Sequence, residues 1–178
     1  MKKVIFMLVM TACMGSLNAQ TLKFGLKAGA NFSNLEGDGV EGSTYTSFHF
    51  GALMELKLLE NLSIQPELLY SSQGTKIDAA GFDDINYNYI TVPVLAKFYL
   101  TKNKFSFEAG PQFSFLVNEN VGDQFEGETF DFAIAGGLGY NLSEHFLIQA
   151  RYVAGLTEAS SNAEVKNRTI QLSLGYQF

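Results

Sequence analysis

Apolar and polar side chains alternate one for one through residues 89–117, and this alternation constrains the fold more than any other feature of the chain. Residues 90–100 place an uncharged set on one side, and residues 105–117 repeat the arrangement after a short interruption at 101–104. Side chains point to alternate faces with a period of two in β-strands. We therefore expect this stretch to form a hairpin of two long antiparallel strands.

The same alternation recurs along most of the chain, so we predict eight strands. They cover residues 22–32, 46–59, 62–73, 90–100, 105–117, 130–140, 146–156 and 168–178. Short turns and long loops alternate between them, which is typical of bacterial outer-membrane barrels. Lipid does not tolerate open strand edges, so the sheet must close. The predicted fold is all-β: a closed eight-stranded antiparallel up-and-down transmembrane β-barrel after a cleaved signal peptide.

Residues 1–19 have the features of a secretory signal peptide. Lys2 and Lys3 precede an apolar run at residues 4–10, and small or polar residues follow up to Ala19, after which we predict cleavage. The apolar run is too short to span a bilayer. A lipoprotein signal is the alternative, because residues 10–13 loosely resemble a lipobox that ends at Cys13. With cleavage after Ala19, the barrel domain is residues 20–178.

Composition excludes several classes of function. Cys13 is the only cysteine and leaves with the signal, so the mature chain has no disulfide or thiolate chemistry. After the removal of residues 1–19, ten basic and eighteen acidic side chains remain, which is a formal charge of −8. An acidic balance argues against nucleic acid as a partner. No motif in the sequence predicts a metal, a cofactor or catalytic residues.

The volume of the lumen decides which face points inward. An eight-stranded barrel has room only for side chains, so the ring-rich uncharged face must meet lipid and the small, polar face must fill the interior. Buried charges persist only when they are paired. We therefore predict a lumen charge network that plugs the barrel, with five bases and four acids: Lys23, Lys27, Lys57, Lys97, Arg151, Glu55, Glu67, Glu108 and Asp131.

Two other arrangements remain open at this stage. A polar lumen also suits a narrow porin-like channel for small solutes or ions, although eight strands normally leave no free cross-section. A soluble ligand-binding barrel would turn the aromatic face inward and expose Lys57 and Arg151 to water. A structural or surface-interaction role for a monomer in the outer membrane remains the leading hypothesis, with no enzymatic activity.

His49 and the acidic loops are the remaining candidate sites. His49 is an inward strand residue that shares its face with Ser47, and Asp131 is a second candidate partner for a catalytic group. A hydrogen-bonded lumen residue is the simpler interpretation. The loop carboxylates could contact an extracellular ligand, but they lack EF-hand spacing. They are Glu36, Asp38, Glu41, Asp78, Asp83, Asp84, Glu119, Asp123, Glu126 and Glu128.

All three prolines, Pro66, Pro93 and Pro111, fall inside predicted strands. Each proline removes one donor from the hydrogen-bond ladder. We therefore expect β-bulges or water-satisfied carbonyls at these positions.

Several segments of this chain resemble the PorT-type outer-membrane β-barrel domain, which is often called a porin-family domain. The likeness lies in residues 90–99, 107–111, 150–157 and 174–178. It implies barrel architecture, the cell outer membrane and contact with lipid, and it implies no catalytic residues. The closing strand, with Tyr176 and Phe178, resembles the signal by which the barrel assembly machinery recognises its clients.

Overall fold

The computed structural model describes residues 22–37, 43–76, 85–101, 104–119, 130–157 and 165–178. Its eight strands form a closed barrel in which each strand pairs with its neighbours in sequence. The strands are β1 (Leu22–Gly37), β2 (Ser43–Leu59), β3 (Leu62–Lys76), β4 (Ile85–Thr101), β5 (Phe105–Glu119), β6 (Phe130–Asn141), β7 (Phe146–Gly155) and β8 (Val165–Gln177). The predicted number of strands and the predicted closure are confirmed.

Every strand pair is antiparallel, including β1 with β8, which closes the barrel. The pairing of β1 with β8 runs from Gly25 opposite Gln177 to Gly37 opposite Val165. β1 therefore begins, and β8 ends, at the end of the barrel that carries the short turns, which we call the short-turn end. The opposite end is the long-loop end. In the part of the chain that the structure describes, no helix has the length and apolarity to cross a membrane.

Most strands continue further toward the long-loop end than the alternation predicted. β1 continues to Gly37 rather than ending at 32, and β4 begins at Ile85 rather than at 90. Backbone pairing needs no apolar side chains, so it persists where the hydrophobic pattern ends. Tyr87, which the sequence placed in a loop, is therefore an inward-facing strand residue that is 2% exposed.

The predicted orientation of the two faces is confirmed. Outward rings and aliphatic side chains are widely exposed, as Phe24 (54%) and Leu68 (57%) illustrate, whereas the alternate residues are buried. Rings also cluster on the outer surface near the long-loop end, where Phe50 and Tyr70 have centroids 5.5 Å apart. An apolar outer surface and a polar interior are the inverse of a water-soluble barrel.

Of the two features expected at the prolines, the bulges are wrong, whereas water-satisfied carbonyls stay a prediction. Pairs on both sides of Pro66 and Pro93 keep one register, from Pro66 opposite Val94 to Leu69 opposite Thr91. Pro111 likewise sits within an uninterrupted register with β6. A proline removes one donor without adding a residue, so the register need not shift. The register shifts within the described strands lie instead at Thr44/His49, Lys57/Leu59, Asn88/Tyr89 and Tyr99/Thr101.

Candidate functional site

The inward side chains of the barrel form one hydrogen-bonded and ion-paired interior, and Glu67 on β3 is its centre. Arg151 on β7 donates two hydrogen bonds to Glu67, at 2.8 and 2.9 Å. The Lys27 Nζ lies 3.3 Å from the same carboxylate, and Gln65 Nε2 donates to it at 2.6 Å. A buried carboxylate that receives donors from three strands in this way is fully compensated.

A second carboxylate, Glu108 on β5, extends this cluster across the lumen. Gln149 Nε2 donates to both of its oxygens, at 2.8 and 3.0 Å, and Arg151 lies 3.9 Å away. Gln149 in turn accepts a hydrogen bond from Lys27 Nζ at 2.9 Å. Two cations and two carboxylates thus form one cluster, with no net formal charge, that spans β1, β3, β5 and β7.

The third carboxylate, Glu55 on β2, lies toward the short-turn end. It accepts a hydrogen bond from Tyr99 Oη at 2.6 Å and one from Gln177 Nε2 at 3.0 Å, and it pairs with Lys97 at 3.3 Å. Lys97 also donates to Gln65 Oε1 at 3.0 Å. Gln65 therefore joins the Glu55 cluster to the Glu67 cluster in one network.

Inward glycines make these contacts possible. Gly137 on β6 lies opposite both Glu108 and Arg151, and Gly51 on β2 lies opposite Lys27 and Leu69. With no side chain on the intervening strand, groups two strands apart reach one another. A Cβ on Gly137 would lie 2.9 Å from the Arg151 Cα, closer than real Cβ atoms come.

The interior toward the long-loop end is neutral by comparison. His49 lies between two partners: Nδ1 is 2.7 Å from Asn31 Oδ1, and Nε2 is 2.8 Å from Ser173 Oγ. Asn31 Nδ2 donates to Ser71 Oγ at 3.0 Å and to the Ser72 carbonyl at 2.7 Å. These bonds orient the amide of Asn31 so that its oxygen faces His49.

Several polar atoms in this neutral region make no hydrogen bond with another described residue. They include Thr91 Oγ1, Gln112 Oε1 and Gln171 Oε1. The rings of Tyr87 and Tyr89 fill part of the same region, with centroids 6.3 Å apart. In the charged region Arg151 Nε and Ser63 Oγ also make no such bond, so the neutral region is packed but has more unbonded polar atoms than the charged one.

The structure brings together six of the nine residues predicted for the lumen charge network: Lys27, Lys97, Arg151, Glu55, Glu67 and Glu108. Lys23 requires a correction. It is exposed at the second position of β1, where the barrel ends at the short-turn end, so water solvates its charge. Lys57 is half-buried near the same end. Asp131 is buried far from the cluster, where its Oδ1 accepts a hydrogen bond from Thr157 Oγ1 at 2.6 Å.

The partners suggested for His49 were wrong. Ser47 instead donates to the Ser72 carbonyl at 2.6 Å, and His49 contacts Asn31 and Ser173, which lie on β1 and β8. Ser173 is 124 positions from His49, a separation that the local pattern could not bridge. His49 therefore has the environment of a hydrogen-bonded lumen residue.

Sequence reasoning missed the glutamines Gln65, Gln149 and Gln177, which connect the charged residues. The signal was present, since all three occupy inward positions of their strands. Among the described residues, no three metal-ligating side chains lie together. Eight of the ten loop carboxylates and the signal segment lie outside the described residues. Glu36 and Glu119, which the sequence placed in loops, lie instead at the long-loop ends of β1 and β5. Tyr176 and Phe178 point outward at the short-turn end, 39% and 69% exposed.

Comparison with known proteins agrees with this architecture. The family model described as "Outer membrane protein beta-barrel domain" matches residues 18–161, and the chain belongs to this family. The search of curated proteins found no match.

Two solved structures are similar over nearly their whole length. The attachment invasion locus protein Ail of Yersinia pestis shares 15% identity and has a TM-score of 0.59, with 89% of this chain and 100% of that chain covered. Neisserial surface protein A shares 13% identity and has a TM-score of 0.62, with 87% and 97% covered. At these identities the similarity concerns the fold. The chain is therefore a small eight-stranded barrel of the outer membrane.

Proposed function

We propose that this protein is a non-enzymatic surface-interaction barrel whose lumen is plugged by paired charges. The packing of the interior carries the proposal: Glu67, Glu108 and Arg151 are only 2–3% exposed, although they lie on the wall that a pore would hydrate. A solute path along this wall would have to break several hydrogen bonds to buried charges. The packing therefore favours a plug over the narrow channel.

We propose that the contact surface lies at the long-loop end. We infer that the short turns are periplasmic and the long loops extracellular, because β1 begins and β8 ends at the short-turn end and the chain enters from the periplasm. The loops and the strand ends beside them carry the ten candidate carboxylates. Such a surface attracts partners of opposite charge and repels anionic ones.

One related structure gives a contrast in ligand chemistry. Ail has been crystallised with the heparin analogue sucrose octasulfate, in a structure that shares 18% identity with this chain and has a TM-score of 0.56. Sulfate groups and acidic loops repel each other. We therefore propose that the loops of this protein bind a basic protein or peptide surface instead of a sulfated polyanion.

The motifs of the central hairpin and of the closing strand support a narrower placement in the PorT-type group of barrels. They also support recognition by the barrel assembly machinery through Tyr176 and Phe178. Both remain proposals about relatives and partners, and neither changes the role assigned to the loops.

A binding assay on the folded barrel in lipid nanodiscs tests the proposed function. Immobilised poly-lysine should retain the wild-type protein in a salt-dependent manner, and immobilised heparin should not. A variant with Asp123→Asn, Glu126→Gln and Glu128→Gln should lose most of the retention, whereas the short-turn variant Glu144→Gln should keep it. If poly-lysine retained the triple loop variant as well as it retains Glu144→Gln, or if the wild-type protein bound heparin, an acidic contact surface on the loops would be rejected.

A further inference from the structure

The seam between β1 and β8 is where the first and last strands pair to close the barrel. These strands are the most distant in sequence, so their pairing carries the largest loop-closure cost. A slip by one residue would turn the apolar face of β8 into the lumen and is excluded by the hydrophobic pattern. A slip by two residues would keep both faces correct, so some other feature must exclude it.

Three side-chain contacts cross the seam by skipping one strand. The His49 Nε2 on β2 lies 2.8 Å from Ser173 Oγ on β8, across β1. Gln177 Nε2 on β8 donates to Glu55 Oε2 on β2 at 3.0 Å, also across β1.

The third contact crosses β8 in the other direction. Lys27 Nζ on β1 donates to Gln149 Oε1 on β7 at 2.9 Å. Each strand next to the seam thus has side chains of its two neighbours meeting above it.

A glycine lies beneath each of these contacts. Gly29 is opposite both His49 and Ser173, and Gly25 is opposite Gln177. A Cβ on Gly29 would lie 2.7 Å from His49 Cε1, and one on Gly25 would lie 2.5 Å from the Tyr176 carbonyl oxygen. These positions accept no side chain while the neighbouring strands keep their places.

The third glycine lies on β8. Gly175 is opposite Lys27 on β1 and Leu147 on β7, and its Cβ would lie 3.0 Å from Leu147 Cγ. Every inward β8 residue from Thr169 to Gln177 other than Gly175 bonds to a side chain of β1, β2 or β3. Thr169 bonds to Gln73 at 3.3 Å and Gln171 to Asn31 at 3.1 Å.

We propose that Gly25, Gly29 and Gly175, with the three contacts above them, form a closure clasp that selects the register in which β8 pairs with β1. A slip of β8 by two residues brings either Gln171 or Gly175 opposite Gly29 in place of Ser173. A longer side chain or none then replaces the hydroxyl that His49 contacts. The slip also separates Gln177 from Glu55. The clasp therefore distinguishes registers that the alternation of faces treats as equal.

Disulfide trapping in cells reports the register directly. Ala30 and Leu172 are opposite each other on the outer surface, so Ala30→Cys with Leu172→Cys reports the native register. Ala30→Cys with Leu174→Cys, or with Ile170→Cys, reports the two slipped registers. In an otherwise wild-type chain, only the native pair should cross-link.

Ser173→Val combined with Gln177→Leu removes two of the three contacts and keeps residues suited to a strand. We expect the slipped pairs to cross-link several-fold above background in this clasp variant. Gln112→Leu is the matched control, since it removes an inward glutamine far from the seam, and it should keep the slipped pairs at background. A folded clasp variant that cross-links only in the native register would overturn the proposal.

A double-mutant cycle covers the case in which the clasp variant does not fold. We expect Ser173→Ala to speed unfolding in detergent by about fivefold, the factor that one lost hydrogen bond predicts. His49→Ala should speed it further, because it also removes the contact with Asn31. If the two residues act through their contact, the double variant unfolds no faster than the faster single variant. Rates that multiply would show that His49 and Ser173 act independently and would overturn the clasp.

Discussion

The two halves of the lumen are built from different chemistry. Toward the short-turn end, three cations and three carboxylates are buried and bonded to one another, with Glu67 at the centre. Toward the long-loop end the described interior consists of hydroxyls, amides, tyrosines, His49 and an apolar cluster, and Asp131 is the buried charge at its rim. The apolar cluster is Leu95, Ala133, Ala135 and Val153. Along the barrel axis, the inward side chains thus change from paired charges to neutral groups that are only partly hydrogen-bonded.

This difference indicates which half of the lumen fixes the arrangement of the interior side chains. A buried charge is costly unless its partners are in place, so the charged half accepts only one arrangement. A neutral polar group that lacks a partner costs much less, and Thr91, Gln112 and Gln171 each retain such an atom. The charged half should therefore respond strongly to conservative changes, and the neutral half weakly.

The largest effect is expected from Glu67→Gln. This change keeps the shape of the side chain but leaves Arg151 and Lys27 buried beside a neutral group. Breaking a buried ion pair by removing one partner costs about 3–5 kcal/mol. Denaturant unfolding in detergent, followed by the heat-dependent shift of folded barrels on gels, measures the loss. A loss below about 1 kcal/mol would remove the distinction between the two halves.

A smaller effect is expected when one hydroxyl is deleted from each half of β4. Tyr99→Phe removes the donor that Glu55 accepts at 2.6 Å, so the free energy of unfolding should fall by about 1.5–3 kcal/mol. Thr91→Val removes a hydroxyl that makes no hydrogen bond with the described residues, and stability should stay the same or rise slightly. Equal losses in the two variants would contradict the comparison.

The glycine beneath the charged half gives a further prediction, with a built-in control. Gly137→Ala places a Cβ 2.9 Å from the Arg151 Cα, so the backbone must shift at a cost of about 1–3 kcal/mol. At the adjacent Gly136, which points outward, the nearest atom for a Cβ is the Glu108 carbonyl oxygen at 4.0 Å. Gly136→Ala should therefore leave the denaturant midpoint of unfolding unchanged, whereas Gly137→Ala should lower it. Similar losses of stability in the two variants would contradict the role assigned to Gly137.

Much of the fold follows from the alternation of side chains. The period of two locates all eight strands, and the size of an eight-stranded lumen determines which face turns inward. The strand ends were less accessible, since pairing continues past the apolar pattern, as at Tyr87. At the prolines the prediction was too irregular: bulges were expected, but a lost donor does not by itself shift the register.

The site was predictable by residue type more than by pairing. Six inward charges could be assigned to one network because buried charges need partners, but which residues pair depends on the register around the barrel. Lys23 satisfies the same alternation and yet lies in water, because the pattern does not show where the barrel ends. The contact of His49 with Ser173 depends on closure between the two ends of the chain, which no local pattern contains.

Conductance across a planar bilayer tests the central claim, a lumen plugged by paired charges. We predict that the purified wild-type barrel produces no discrete current steps in the bilayer. Its heat-dependent gel shift verifies beforehand that the protein is folded. Glu108→Gln should also produce none, because Gln149 and Arg151 still occupy that part of the lumen. Steady unitary steps from the wild-type protein, changed in size or ion selectivity by Glu108→Gln, would contradict the plug and favour the narrow channel.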